Sequence, residues 1–360
     1  MMKCCFSIIC LLGSLLSMAT AGDIQTERIF GPESPGPYKH PASVTALDNG
    51  DLYLVYYGGD GEYATNTAVY GSRLKKGETT WSPPAVIADT PHRSEGNGVV
   101  WQAPDGVVWL YYVVRYGDTW SSSRIQAKLS RDRGQTWSDP IIVAWQEGMM
   151  VRGRPIALAD GDYLLPIYHE TGMNREWVGA DTESLFLRYS PKTHQFTESS
   201  RIRSRLGNLQ PSVVQLDDKH LIAYCRRGGD YEPRADGFVV RSESLDGGHT
   251  WSEGQDSQFP NPNAAIDFIK LQNGHLLLVY NNSISDRTPL TVAISQDADK
   301  TWPWRRDIAT GDFDYAYPTA IQTADGKIHI VYTSHERTVI NRAVFDEDAI
   351  ARPEFKVTQK

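Results

Sequence analysis

Short apolar and aromatic runs alternate with polar turn signals along this chain, and no stretch of any length carries a helical spacing of apolar positions. One arrangement recurs six times: an apolar run, a tight turn, then a second apolar run. The turns are Asp48-Asn49-Gly50, Pro104-Asp105-Gly106, Ala159-Asp160-Gly161, Asp217-Asp218-Lys219, Gln272-Asn273-Gly274 and Ala324-Asp325-Gly326. The runs that follow them are Leu52–Tyr57, Val107–Val113, Tyr163–Tyr168, Leu221–Cys225, Leu276–Tyr280 and Ile328–Tyr332. Six units of about 55 residues predict an all-β fold, a six-bladed β-propeller of four-stranded blades. The last unit holds three apparent strands, so Gln25–Phe30 is expected to add its outer strand and close the ring.

A second repeat lies within the same units. Ser130-Arg131-Asp132-Arg133-Gly134-Gln135-Thr136-Trp137 recurs at Ser244 to Trp251 and, with Asp299 in place of glycine, at Ser295 to Trp302. Looser copies run from Ser72 to Trp81 and from Ser190 to Phe196. The carboxylate suits backbone N–H groups across a turn, Gly supplies a positive φ, and Trp supplies an apolar plug. These motifs read as scaffold, with Trp137, Trp251 and Trp302 buried at the periphery.

Lys3, the apolar run Cys4–Met18 and Ala19-Thr20-Ala21 read as a signal peptide over residues 1–21, which leaves 22–360 as a single domain. The mature chain is then expected to be secreted or periplasmic, free of the membrane and monomeric. It would keep one cysteine, Cys225, so an internal disulfide is excluded and the thiol is expected to be buried and inert. The balance of 36 Lys+Arg against 44 Asp+Glu, net −8, argues against a nucleic-acid partner. No His/Cys cluster has metal-ligand spacing, and neither a metal nor a cofactor is expected.

In a propeller the innermost strands begin around a central tunnel, where ligands collect. Counting back nine or ten residues from each turn gives His40, Asn97, Arg152, Gln210, Ala265 and Tyr317. A set so polar points to a binding site at the tunnel mouth.

The Ser-x-Asp-x-Gly-x-Thr-Trp repeat resembles the Asp-box, or BNR repeat, of the sialidase superfamily. The segments Asn261–Asp267 and Arg287–Leu290 resemble a bacterial sialidase-like subgroup. The resemblance implies three arginines that grip a substrate carboxylate, a tyrosine nucleophile activated by a glutamate, and an aspartate acid/base. Arg287 matches the third arginine, and Arg226 or its neighbour Arg227 the second. Tyr317 matches the tyrosine, with Tyr315 on the same strand face. Three posts differ: His40 stands at the first arginine, Gln210 at the glutamate and Asn66 at the aspartate. A Gln cannot take the tyrosine's proton and an Asn is no acid. Glu62, Glu170, Asp230 or Asp267 would have to supply a carboxylate from a new position, Glu170 being preferred because it ends a second strand at the face of Arg226. Otherwise His40 would serve as acid/base. Of Arg152 and Arg154, one is expected in the mouth.

Three functions follow. The resemblance favours a hydrolase removing a terminal acidic sugar, held by Arg226, Arg287 and Arg152 with Asn97, Gln210, Asp267 and Tyr315 nearby, and with Tyr317, Glu170 or His40 carrying the chemistry. A lyase on a uronate glycan, with His40 and Tyr317 as base and acid, is the alternative. A catalytically silent carbohydrate-binding propeller is the third.

Overall fold

The computed structural model describes residues 23–175 and 177–350; the expected signal peptide lies outside the described residues. Six antiparallel sheets follow one another along the chain. The first blade is Tyr38–Ala46, Leu52–Gly59, Ala68–Leu74 and Ala85–Ala88. The second is Ser94–Gln102, Val108–Arg115, Ser123–Ser130 and Ile141–Ala144. In the third, the inner strand is split into Met149–Val151 and Ile156–Ala157 before Tyr163–His169, Glu183–Ser190 and Gln195–Glu198. The fourth runs Asn208–Gln215, Leu221–Arg227, Phe238–Ser244 and Gln255–Pro260. Asp267–Lys270, Leu276–Asn281, Leu290–Ser295 and Trp304–Ala309 make the fifth. The sixth is Ala316–Gln322, Ile328–Ser334 and Val339–Phe345, and Gln25–Phe30 pairs with the last of these to close the ring. This is the six-bladed propeller and the closure that the repeats predict.

Each blade is apolar on both faces because it packs between two neighbours, so the core is a ring of inter-blade layers. The layer between the third and fourth blades, for example, joins Leu164 and Phe186 to Val213, Ala223 and Trp251. Cys225 lies in it, with its thiol pushed up to about 12 by burial. Among the described residues no helix is long and apolar enough to cross a membrane.

The Asp-boxes are turns of the expected kind. Asp132 accepts the N–H groups of Gln135 and Thr136 at 3.1 and 2.8 Å and the Thr136 hydroxyl at 2.6 Å. Asp246 and Asp297 repeat the bonds to Thr250 and Thr301. The left-handed position holds Gly134, Gly248 and, in the third box, Asp299 at φ 76°. A Cβ there costs about 1–2 kcal/mol. Asp299 offsets it by accepting from the Trp302 indole at 3.0 Å, the Tyr224 hydroxyl at 2.7 Å and Arg241 at 2.7 Å. Trp251 and Trp302 are buried, whereas Trp137 is half-buried, packed against Tyr53 at the edge of the layer between the first and second blades. Trp251 stacks on Phe186 at 4.3 Å and donates to the Gly248 carbonyl. A Trp251→Ala change should cost about 3–5 kcal/mol in a urea melt and leave ligand affinity of the folded protein unchanged; a stable variant with a specific binding loss would contradict the scaffold role.

Candidate functional site

The inner strands of the second, fourth and sixth blades begin with the same irregularity. Asn97, Gln210 and Tyr317 take left-handed backbone conformations, with φ of 46°, 53° and 55°. Each lies in a break of the strand register, between Gly96 and Val99, Leu209 and Ser212, and Ala316 and Thr319. Such a bulge turns one side chain out of the pleat's alternation, here toward the axis. A non-glycine residue held this way costs about 1–3 kcal/mol, and such strain concentrates at working sites. The three side chains meet through neighbours. Asn97 and Gln210 donate to the Tyr168 hydroxyl at 3.2 and 3.5 Å, and Gln210 accepts from Arg226 at 3.2 Å.

Tyr317 is the centre. Arg226 Nη1 donates to its hydroxyl at 2.9 Å. The Arg226 and Arg287 guanidinium carbons lie 5.9 and 5.5 Å from its ring centre. Burial pushes the phenol's pKa up, but Arg226, Arg287 and Arg337 outweigh it against the opposing Glu62, and the net is a phenol held below its ordinary 10.0. Arg337 has no counterpart in the sequence reading. It comes from the turn that follows Ser334, where three successive residues, His335, Glu336 and Arg337, take left-handed conformations.

Two carboxylates line the same pocket. Glu62 accepts from the Tyr38 hydroxyl at 2.9 Å, the Trp120 indole at 3.2 Å and Arg337. Glu170 is half-buried, and among the described residues no donor holds its carboxylate. Burial raises its pKa to about 7; Arg226 opposes the rise and Glu62 adds to it. Glu170 is thus an acid poised to exchange a proton near neutrality, and Glu62 a fixed acceptor. Glu62 reaches the mouth from the loop where the resemblance placed Asn66; Asn66 itself is exposed and accepts the Asp60 N–H.

The structure does not bring every expected residue to the mouth. His40 lies beneath Tyr317, ring centres 4.1 Å apart, with Nδ1 on Thr333 at 3.1 Å and Nε2 buried without a partner. Burial, then Arg337, Arg287, Arg152 and Arg226, keep it neutral. Arg152 is committed to the carbonyls of Tyr317 and Pro318, both at 2.9 Å, and to the Thr319 hydroxyl. It supports the bulge rather than facing a ligand. Arg154 and Asp267 line a separate axial cavity; Asp267 accepts from Ser212 at 2.8 Å and the Ala320 N–H at 2.7 Å. Tyr315 turns away and donates to the Thr310 carbonyl at 2.9 Å. Arg227 binds the carbonyls of Asn261, Gly228 and Asp230, so Arg226 is the arginine of the mouth. Tyr317, Arg226, Glu62, Glu170 and Arg337 line one pocket that opens to solvent. Trp120, Trp177 and Tyr231 complete its wall. These aromatics were not found from sequence, because they sit in loops outside the repeat.

A Hadza microbial sialidase shares the fold, with a TM-score of 0.73 and 17% identity over 88% of this chain and 67% of that one. The NanB sialidase of Streptococcus pneumoniae has a TM-score of 0.73 and 12% identity over 90% of this chain and 71% of its own. An α-L-arabinofuranosidase of Fusarium graminearum has a TM-score of 0.66 and 15% identity over 91% and 99%. At these identities the likeness is one of fold, a propeller shared by glycoside hydrolases. No curated protein sequence matches the chain. The BNR repeat-like domain model matches residues 50–330, more than half of the chain, and the chain belongs to that family.

Proposed function

We propose that this protein is an exported glycoside hydrolase that removes a terminal acidic sugar from a glycan, with retention of configuration. The observation that carries the reading is the Tyr317 phenol, ringed by arginines that favour its ionised form, in one pocket with an acid that titrates near pH 7. Gln210 occupies the post of a general base, and this environment makes one less necessary: the arginines lower the cost of losing the phenol proton to water. Burial alone would keep it neutral.

The hydrogen-bond inventory separates the arginines. Arg226 uses Nε on Asn263, both Nη1 hydrogens on Gln210 and Tyr317, and one Nη2 hydrogen on Tyr231. With Tyr231 in place it holds Tyr317 and keeps one N–H uncommitted. Among the described residues Arg287 makes one long bond, 3.5 Å to the Asn263 carbonyl, which leaves its other N–H groups for a carboxylate. Arg337 shares one Nη between Tyr38 and Glu62 and adds a second donor edge.

In the first step Tyr317, its proton already lost to water, attacks the anomeric carbon as the phenolate. The bond to the leaving oxygen breaks with its electron pair, and Glu170 gives that oxygen its proton. In the second, Glu170 takes a proton from water, the water oxygen attacks the anomeric carbon, and Tyr317 departs as phenolate. A neutral or arginine-neutralised nucleophile suits an anionic substrate, which a carboxylate would repel.

Affinity for an acidic sugar and its carboxyl-reduced analogue should differ strongly in the native protein. Arg287→Lys keeps the charge but removes the planar fork, and should weaken the acidic sugar's binding roughly tenfold or more. Equal affinity for both sugars would end the carboxylate assignment. Product analysis on sialylated and uronate-rich glycans tests the reaction itself. Free acidic sugar supports hydrolysis, an unsaturated uronate would make the protein a lyase, and binding without turnover a lectin.

A further inference from the structure

Arg226 and Arg287 are covered from outside. The Tyr231 ring lies 5.8 Å from the Arg226 guanidinium carbon and 5.5 Å from that of Arg287, so both cations sit between Tyr231 and Tyr317. The Tyr231 hydroxyl accepts from Arg226 Nη2 at 3.1 Å. Unlike Tyr317, Tyr231 is 39% exposed and lines the pocket wall.

The base of its loop is fixed. Asn263 donates to the Gly229 and Asp230 carbonyls at 2.9 and 3.1 Å, and Arg227 donates to Asp230 at 3.0 Å. Gly229 also exchanges backbone bonds with Val178 on the preceding blade. With the base of the loop held, Tyr231 would leave Arg226 by a side-chain rotation, and rotamer changes of exposed residues are fast.

We propose that Tyr231 is a specificity gate of this pocket: its hydroxyl holds the place of an anionic ligand on Arg226, and a ligand carboxylate must displace it to reach the arginine pair. The inference deepens the reading of the mouth as a carboxylate site and rests on it. Two consequences follow from hydrogen-bond counting. With Tyr231 in place Arg226 has one uncommitted N–H, and with Tyr231 turned out it has two on the same nitrogen. A neutral sugar hydroxyl can only match the bond that Tyr231 gives up, whereas a carboxylate replaces it with a stronger one between opposite charges, so the gate opens more readily for an anion.

The test uses Tyr231→Phe, which removes the hydroxyl but keeps the ring, and Tyr231→Ala, which removes the cover. Binding of free sialic acid and of glucuronic acid is followed by calorimetry in the whole protein. The expected result is roughly three- to tenfold tighter binding by Tyr231→Phe, the size of one net hydrogen bond. Equal or weaker binding by Tyr231→Phe, with the native protein binding, overturns the gate and leaves the proposed function standing. A second readout needs no ligand: modification of Arg226 and Arg287 by phenylglyoxal, located by peptide mass. Tyr231→Ala should speed it several-fold over the native protein, and unchanged rates overturn the gate. Faster modification with no acid bound by any variant keeps the cover over the arginines but overturns both the carboxylate reading and the gate built on it.

Discussion

Tyr317→Phe should lower kcat by roughly 10³-fold or more while leaving the urea midpoint nearly unchanged. The ring stays to pack against His40 and under the arginines, so the fold loses one hydroxyl, the one that accepts from Arg226. The lost oxygen is also the attacking atom of the proposed reaction, and nothing else in the pocket stands at its place. Affinity for the acidic sugar should persist, since Arg287 and Arg337 remain. An ultraviolet pH titration gives an independent check. The native protein should show a phenol ionising below the ordinary 10.0, and the variant should lack it. A variant with native kcat would remove Tyr317 from the chemistry altogether.

Glu170→Gln should separate substrates by leaving group. For a sugar leaving group, which needs a proton, kcat should fall about 10²- to 10⁴-fold. For an aryl leaving group of low pKa the fall should be slight. The pH profile fixes the sign. Glu170 must be protonated to act as acid, and its pKa is raised to about 7, so its contribution to native activity is full below that value and declines above it. The variant should lack this alkaline limb. The same shift acts on stability. Between the ordinary 4.5 and about 7 the folded protein keeps a proton that the unfolded chain has released, so stability falls as pH rises through this window. Glu170→Gln should flatten that slope. An alkaline limb that survives in the variant would assign the acid to another group.

The blade repeat was legible because turns and alternation are local. Asp-Asn-Gly and its relatives need particular residues at particular dihedral angles, and Asp132 with Thr136 closes its turn within five residues. The closing strand was legible by elimination, since the sixth unit lacked one. Counting back to the strand starts found Asn97, Gln210 and Tyr317, which share a phase and a bulge. The same count put Arg152 in the mouth, where the split inner strand of the third blade turns it beneath Tyr317 instead. A count gives the register of a residue but not its depth along the axis, and His40, reached by the same count, lies beneath Tyr317 for that reason. Arg337 was hidden more completely. Its aim depends on three left-handed residues in a row with no glycine among them, a conformation that tertiary contacts impose, one of them the Lys39 N–H on the Arg337 carbonyl at 2.7 Å.

The strand Gln25–Phe30 pairs with residues at the far end of the chain, Gln25 opposite Val344. Five of the blades are meanders built from neighbouring sequence, and each finds its partners as soon as it is complete. The sixth must join segments roughly 315 residues apart, at a chain-closure entropy of about 5 kcal/mol. Until then the first-made strand has no sheet, and its backbone donors and acceptors face water. The five meanders can each form from local sequence, and the ring locks last. Closing it brings Arg337, on the last blade, to Glu62 on the first, so the pocket is completed in the same event that makes the molecule circular.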